Sequence, residues 1–247
     1  MGFNNYLKKF KIKKFFDVAS HYKNVYYWYA ISKFLLSNSY GASIEKVYTR
    51  YLDLSRIVSI LRPNGRILEF GSGFSSIFFS YLPHMSIVSV EEFENYKPKA
   101  LRKSHEFHCI QTKNFDSGIE KTRLFVDRNF DTEFAYNFIY IDGPQTPIWK
   151  NGYTGANIDI QFLSNLTNSI IGVDIRFNTC IYLYHQLEVS HRVLLSKKIL
   201  NLIRFEKVEH PFREIDLTLE PLGLKLTTLF IPKIYFPVAL NELQRCK

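Results

Sequence analysis

Two acids and two glycines carry most of the chemistry this sequence can do. In Leu68-Glu69-Phe70-Gly71-Ser72-Gly73 an apolar run ends in a carboxylate, a pair of glycines brackets a serine, and the apolar-rich Ile77-Phe78-Phe79 follows. That succession is the pattern of a buried strand passing through a tight turn into a helix. Glycine serves in the turn because a ligand can then approach the backbone more closely than a Cβ would allow. A second acid, Glu91, ends the next apolar run, Ile87-Val88-Ser89-Val90. An acid about 20 residues beyond such a turn is placed to accept hydrogen bonds from a ribose. Glu69, Gly71, Ser72, Gly73 and Glu91 together read as a nucleoside-cofactor site.

The kind of cofactor follows from what the turn lacks. A dinucleotide fingerprint needs a third glycine, and Ser76 stands in its place. A diphosphate would also have to settle beside the Glu69 carboxylate. A ligand with a cationic amine suits that carboxylate better. S-adenosylmethionine has such an amine, with a sulfonium and a ribose and no phosphate.

On these residues the chain resembles the class I S-adenosylmethionine-dependent methyltransferases. Leu68 to Gly73 match the glycine motif and Ser89-Val90-Glu91 the ribose acid. Phe138-Ile139-Tyr140-Ile141-Asp142-Gly143-Pro144 is similar to the family's fourth-strand motif, and Ile170-Ile171-Gly172-Val173-Asp174 to the strand after it. The resemblance covers about residues 55–185. It implies an α/β fold: a mostly parallel, seven-stranded Rossmann-like sheet flanked by helices, with an N-terminal helical extension. It also implies that the glycine backbone meets the methionine moiety, that Glu69 helps hold the amine, and that Glu91 binds the ribose. The implied reaction is methyl transfer to a small acceptor, with an oxygen favoured. Asp142 would orient or deprotonate that acceptor, with Asp174 supporting it. In related small-molecule O-methyltransferases, acids at these positions bind a divalent metal. Here Ile175 replaces the neighbouring oxygen or amide ligand. A hard cation takes about six oxygens, so two protein acids are too few to assert a metal.

These residues need elements to position them. Steps of three and four among Val47, Tyr51, Leu54, Val58 and Leu61 predict a helix over 44–61, which Pro63-Asn64-Gly65 ends. Beyond it, strands are expected at 66–70, 86–91, 107–111, 136–142 and 169–174, with helices over 74–82, 95–103 and 156–167. Residues 179–190 read as helical and 224–232 as a last strand, while 196–220 gives no clear pattern. Alternating strands and helices indicate a parallel sheet covered on both faces. An aromatic helix is expected over 15–36. The organisation expected is therefore a basic, aromatic-rich helical extension at 1–60 and a cofactor-binding domain at 61–247.

Other polar residues have plainer readings. Asp159 is expected to cap or to be solvated, Arg176 to form a salt bridge, and Tyr140 to lie in the core. His185 and His191, in the helical run, are candidate general bases, although single histidines are more often structural. Cys109, Cys180 and Cys246 have neither metal nor disulfide spacing, and Cys109 and Cys180 read as buried small hydrophobes.

Residues 1–50 hold eight Lys and one Arg against Asp17 and Glu45, which places +7 of the net +9 there. Such an extension suits an anionic surface, whether membrane or nucleic acid, or a solvated helix. An RNA methyltransferase is therefore an alternative. The Asn/Asp-Pro-Pro-aromatic motif of amino-directed DNA enzymes is absent, since Asp142-Gly143-Pro144-Gln145 stands there. A non-catalytic binding or scaffold protein with this fold is the alternative from another class. No secretory signal or transmembrane-length run is evident, so the expected location is the cytoplasm, with peripheral membrane contact through the basic N-terminus open.

Overall fold

From residue 44 onward the described residues form helices and strands, and the strands over 66–70, 86–91, 138–141, 170–173 and 228–232 are buried along almost their whole length. The computed structural model describes residues 44–62, 64–80, 82, 85–97, 105–116, 121–125, 135–143, 166–218 and 222–245. The expected aromatic helix at 15–36 lies outside these residues, as do most of the helices expected at 95–103 and 156–167, Asp159 and Cys246.

The chain begins its described part with helix α1 (Ile44–Val58), then strand β1 (Arg66–Phe70), helix α2 (Phe74–Ser80) and strand β2 (Ser86–Glu91). Strand β3 (His105–Cys109) follows, then a hairpin of β4 (Thr112–Asp116) and β5 (Lys121–Phe125). Strands β6 (Phe138–Ile141) and β7 (Ile170–Val173) lead to helix α3 (Phe177–Leu187) and strand β8 (His191–Leu194). Helices α4 (Lys197–Glu206) and α5 (Glu214–Thr218), strand β9 (Thr228–Pro232) and helix α6 (Phe236–Arg245) complete it.

Seven strands form one sheet in the order β3-β2-β1-β6-β7-β9-β8; β4 and β5 pair only with each other. The sheet is parallel except for β9, which runs antiparallel to β7 and β8. The expected α/β architecture, a seven-stranded and mostly parallel sheet flanked by helices, is present. Chain order reverses between β1 and β6. In such sheets the crevice beyond the carboxyl ends of the strands at this reversal is where ligands bind.

Strand alternation sends consecutive residues to opposite faces. Leu68, Phe70, Val88, Val90, Ile139, Ile141, Ile171 and Val173 form one core with α3 and α4. Ile67, Ile87, Phe138, Tyr140 and Ile170 form the other, with α1, α2 and α6. Tyr51, Leu54 and Ile57 of α1 are fully buried in this second core, so the helix packs as part of the sheet's own cover. Burying each such aliphatic side chain contributes roughly 1.5–3 kcal/mol.

Asp53 fixes α1 along the chain direction. Its buried carboxylate accepts the backbone N–H groups of Lys225 (2.9 Å), Leu226 (2.7 Å) and Thr227 (2.9 Å), which lead into β9. Asp53→Ala leaves those donors without an acceptor. It is expected to cost on the order of 4 kcal/mol in urea unfolding; a loss under about 1 kcal/mol would show that the clamp is dispensable.

Four differences from the sequence reading stand out. β3 begins and ends two residues before the expected 107–111, and the last strand is only Thr228–Pro232. Residues 94–96 form a single 3₁₀ turn where a longer helix was expected to begin. His191 is not in a helix: it opens β8, a strand that four residues of mixed polarity do not announce.

Candidate functional site

The glycine turn is built by backbone contact. Gly71 has φ +86°, and a Cβ on it would lie 2.4 Å from the Gly143 backbone nitrogen. The turns after β1 and β6 therefore touch, and only glycine fits either side. Gly71 N–H donates to the Val90 carbonyl at 2.8 Å, tying the turn to β2 as well. Gly73 differs: among the described residues a Cβ there would meet nothing within 4 Å. The turn is thus open at the Gly73 Cα among the described residues, while the N–H groups of Gly71, Ser72 and Gly73 are all taken within the protein, by the Val90 carbonyl, Glu91 and Ser76 Oγ.

Glu91 stands at the end of β2, where spacing placed it. It is buried, with Oε2 accepting Ser72 N–H at 2.6 Å and Oε1 accepting the N–H groups of Glu92 (2.7 Å) and Phe93 (3.2 Å). A carboxylate offers about four acceptor positions, so capacity is left for a ligand hydroxyl. Just beyond, Phe93 and Tyr96 are exposed and meet edge-on with centroids 6.0 Å apart. Exposed aromatic faces beside a buried carboxylate suit contact with a planar ring. Sequence reading missed this pair, because isolated aromatics in a loop carry no periodic signal.

Glu69 lies deeper than its motif suggests. It is fully buried, and its Oε2 accepts the hydroxyls of Ser76 (2.5 Å) and Ser89 (2.6 Å). Ser76 Oγ in turn accepts Gly73 N–H at 3.0 Å. Glu69 therefore braces the turn through Ser76, while Oε1 has no partner among the described residues. Burial pushes its carboxyl up to about 7, against the opposing pull of its serine hydroxyl donors. Ser89 Oγ also pairs with His105 Nε2 at 2.8 Å.

Across the switch point stand Asp142 and Asp174, one after β6 and one after β7. They are joined by a residue that sequence reading passed over. Arg50 of α1 donates from Nη1 to Asp142 Oδ2 and from Nη2 to Asp174 Oδ2, each at 2.6 Å. Arg176 donates from Nη2 to the Asp142 carbonyl and lies 3.9 Å from Asp142 Oδ1. The expected salt bridge of Arg176 is thus made to Asp142. Burial raises the Asp142 carboxyl to about 7, with Arg50 pulling it down and Asp174 pushing it up. Tyr140, in the core as expected, is fully buried, and its hydroxyl has no partner among the described residues.

No protein-family model matches the chain, and no curated protein does.

The remaining candidates separate. His191 is buried, with Nε2 at 2.9 Å from the Ser169 carbonyl and Nδ1 at 2.7 Å from Ser190 Oγ, so it ties β8 to its neighbours. His185 is exposed on α3. Neither joins Asp142. Cys180 is buried as expected, whereas Cys109 is exposed at the end of β3. Among the described residues no group of three or more His, Cys, Asp or Glu is placed to hold a metal. Arg50 already takes one oxygen of each of the two acids that a divalent cation would need. What the described residues bring together on the other side is the open face of Gly73, the Glu91 carboxylate and the exposed rings of Phe93 and Tyr96. Among the described residues no helix is long and apolar enough to cross a membrane.

Proposed function

We propose that this chain is an S-adenosylmethionine-dependent methyltransferase acting on a small acceptor, with an oxygen as the methylated atom. One observation carries the reading. The open glycine turn with Glu91 on one side, and the Asp142–Asp174 pair on the other, flank the reversal of strand order. The order itself supports a Rossmann-like sheet: with the β4–β5 hairpin set aside, it begins 3-2-1-4-5, as in doubly wound nucleotide-binding folds.

The backbone of Gly71 to Gly73 and the Glu91 carboxylate would hold the cofactor, with Glu69 setting the shape of the turn from beneath. The bound cofactor would supply a methyl group on a sulfonium, an electrophile that needs no further activation. The protein's part is then to place the acceptor in line and to take its proton. Asp142 suits that second task, since a base works best with a pKa near the operating pH. Its carboxyl, at about 7, meets that condition. We place the protein in the cytoplasm, with the basic N-terminus as a contact for an anionic surface.

A second reading, a binding protein without transfer chemistry, is favoured by one observation: Arg50 already occupies an oxygen of each acid. Calorimetric titration with S-adenosylmethionine tests the cofactor claim, with NAD as control. Wild type should bind it and Glu91→Ala at least about tenfold more weakly, as loss of hydrogen bonds to a charge predicts. Folded wild type that binds neither ligand would refute the cofactor assignment. Asp142→Asn separates the two readings. The enzyme should keep cofactor binding and lose turnover by about 10²–10⁴, whereas a binding protein has no turnover to lose.

A further inference from the structure

Arg50 belongs to α1, yet its guanidinium reaches acids 92 and 124 residues further along the chain. One planar fork holds two carboxylates from two different strands, which a lysine could not do with the same geometry. Its side chain is about three-quarters buried, with relative exposure 23%. Asp53 locks the same helix against the approach to β9, so Arg50 cannot withdraw by sliding α1 without breaking those bonds.

We propose that Arg50 is a positioning residue: it serves as the fixed cation of this crevice, clamps Asp142 and Asp174 into one unit, and makes the acceptor a neutral hydroxyl rather than a charged amine. Charge sets the choice of acceptor. Two carboxylates face two guanidinium groups, those of Arg50 and Arg176, so the acid pair holds no surplus negative charge to draw in an ammonium. A hydroxyl needs no such attraction. It needs one carboxylate oxygen able to take a proton, and Asp142 Oδ1 is not bonded to Arg50. The other groups facing the pair are Tyr140 from β6, Glu69 from β1 and Cys180 from α3. Of these, Glu69 alone adds negative charge near neutrality, and its own proton is held up to about 7. The favourable charge on the two acids thus comes from the arginines.

This inference rests on the proposed function only for its acceptor, so the test has two arms. In the first, the full chain carrying ¹³C-labelled aspartate is titrated by NMR, with Asp142 assigned by its Asn variant. Arg50→Gln should raise the Asp142 titration by one unit or more, because an opposite charge within about 4–6 Å lowers a carboxyl pKa by 1–3 units. Arg50→Lys should restore part of that shift. Arg50→Gln combined with Asp174→Asn should bring it back further, since the like charge is removed together with its partner. A side chain that only filled space would not be rescued by Asp174→Asn. An Asp142 titration unmoved in Arg50→Gln overturns the proposal. Should Arg50→Gln fail to fold, the double variant and Arg50→Lys decide instead: an Asp142 titration indistinguishable from wild type in Arg50→Lys, with no rescue of folding in the double variant, also overturns it. In the second arm, methyl transfer is assayed with paired hydroxyl and amine acceptors. Wild type should favour the hydroxyl, and Arg50→Gln should shift the ratio at least tenfold toward the amine. A shifted titration with no transfer to any acceptor would retain the clamp, refute its role in choosing the acceptor, and count against the proposed function. Transfer with an unchanged acceptor ratio would refute the specificity claim alone.

Discussion

Gly71→Ala is expected to destabilise the protein by about 4 kcal/mol or more, which for a chain of this size lowers Tm by about 8–16 °C. Two costs add. The residue holds φ +86°, which an L side chain rarely adopts, and the new Cβ would lie 2.4 Å from the Gly143 nitrogen, a backbone atom that cannot swing aside. The effect would spread to β1, β2 and β6, whose ends meet at this turn. Gly73→Ala is the matched control. Its Cβ enters open space, so the fold should keep its Tm within a few degrees while the cofactor loses the room the proposed function gives it. Differential scanning calorimetry on both variants checks the pair. A Gly71→Ala protein as stable as wild type would mean that the two turns can separate at little cost.

Glu69→Gln is expected to do the reverse at neutral and alkaline pH. Folding raises the Glu69 carboxyl from 4.5 to about 7, with burial as the chief cause. A raised carboxyl binds its proton more tightly in the folded chain. Its contribution to stability is therefore full below pH 4.5 and is lost as pH rises to about 7. The loss is on the order of 3 kcal/mol at about 1.4 kcal/mol per unit. Glutamine keeps an oxygen for the Ser76 and Ser89 hydroxyls and carries no charge to strand. The variant should match wild type at pH 4 and exceed it by on the order of 3 kcal/mol at pH 8. Asp142, also raised to about 7, leaves a residual slope in both proteins. Urea unfolding at the two pH values decides it: equal stabilities at pH 8 would show that Glu69 carries no such strain. A carboxyl raised this far by burial, at the end of a strand beside the strand-order reversal, marks Glu69 as a functional-site candidate.

Much of the frame was legible in the residues. β1, β2, β6 and β7 announce themselves because each holds a short, mainly apolar run with an acid or glycine at its end, the composition expected of a strand covered on both faces. Glu91 follows from spacing, and α1 from steps of three and four. The polar hairpin, β4 with β5, escaped notice because Thr112-Lys113-Asn114-Phe115-Asp116 lacks a run of apolar residues. β8 escaped because its His-Arg-Val-Leu is short and its identity as a strand depends on β9. The depth of Glu69 was hidden as well: only the three-dimensional arrangement shows Ser76 and Ser89 converging on one of its oxygens. Arg50 is the clearest case. An arginine on an amphipathic helix looks like any solvated cation, and its meaning comes from partners contributed by the ends of two distant strands.

The placement of β9 bears on how the chain is made. β9 lies between β7 and β8 in the sheet but follows both in the chain, and β8 pairs with it alone among the described strands. On the ribosome, Leu194 emerges well before Thr228. At about 5–20 residues per second the gap lasts a few seconds. Throughout that interval β7 has a bare edge and β8 has no seat, a state in which strands pair with the wrong partner. The Asp53 clamp also waits for residues 225–227. Nascent chains arrested with Leu194 outside the exit tunnel and Thr228 still inside it should accordingly recruit holdase chaperones, and release should follow once Pro232 clears the tunnel.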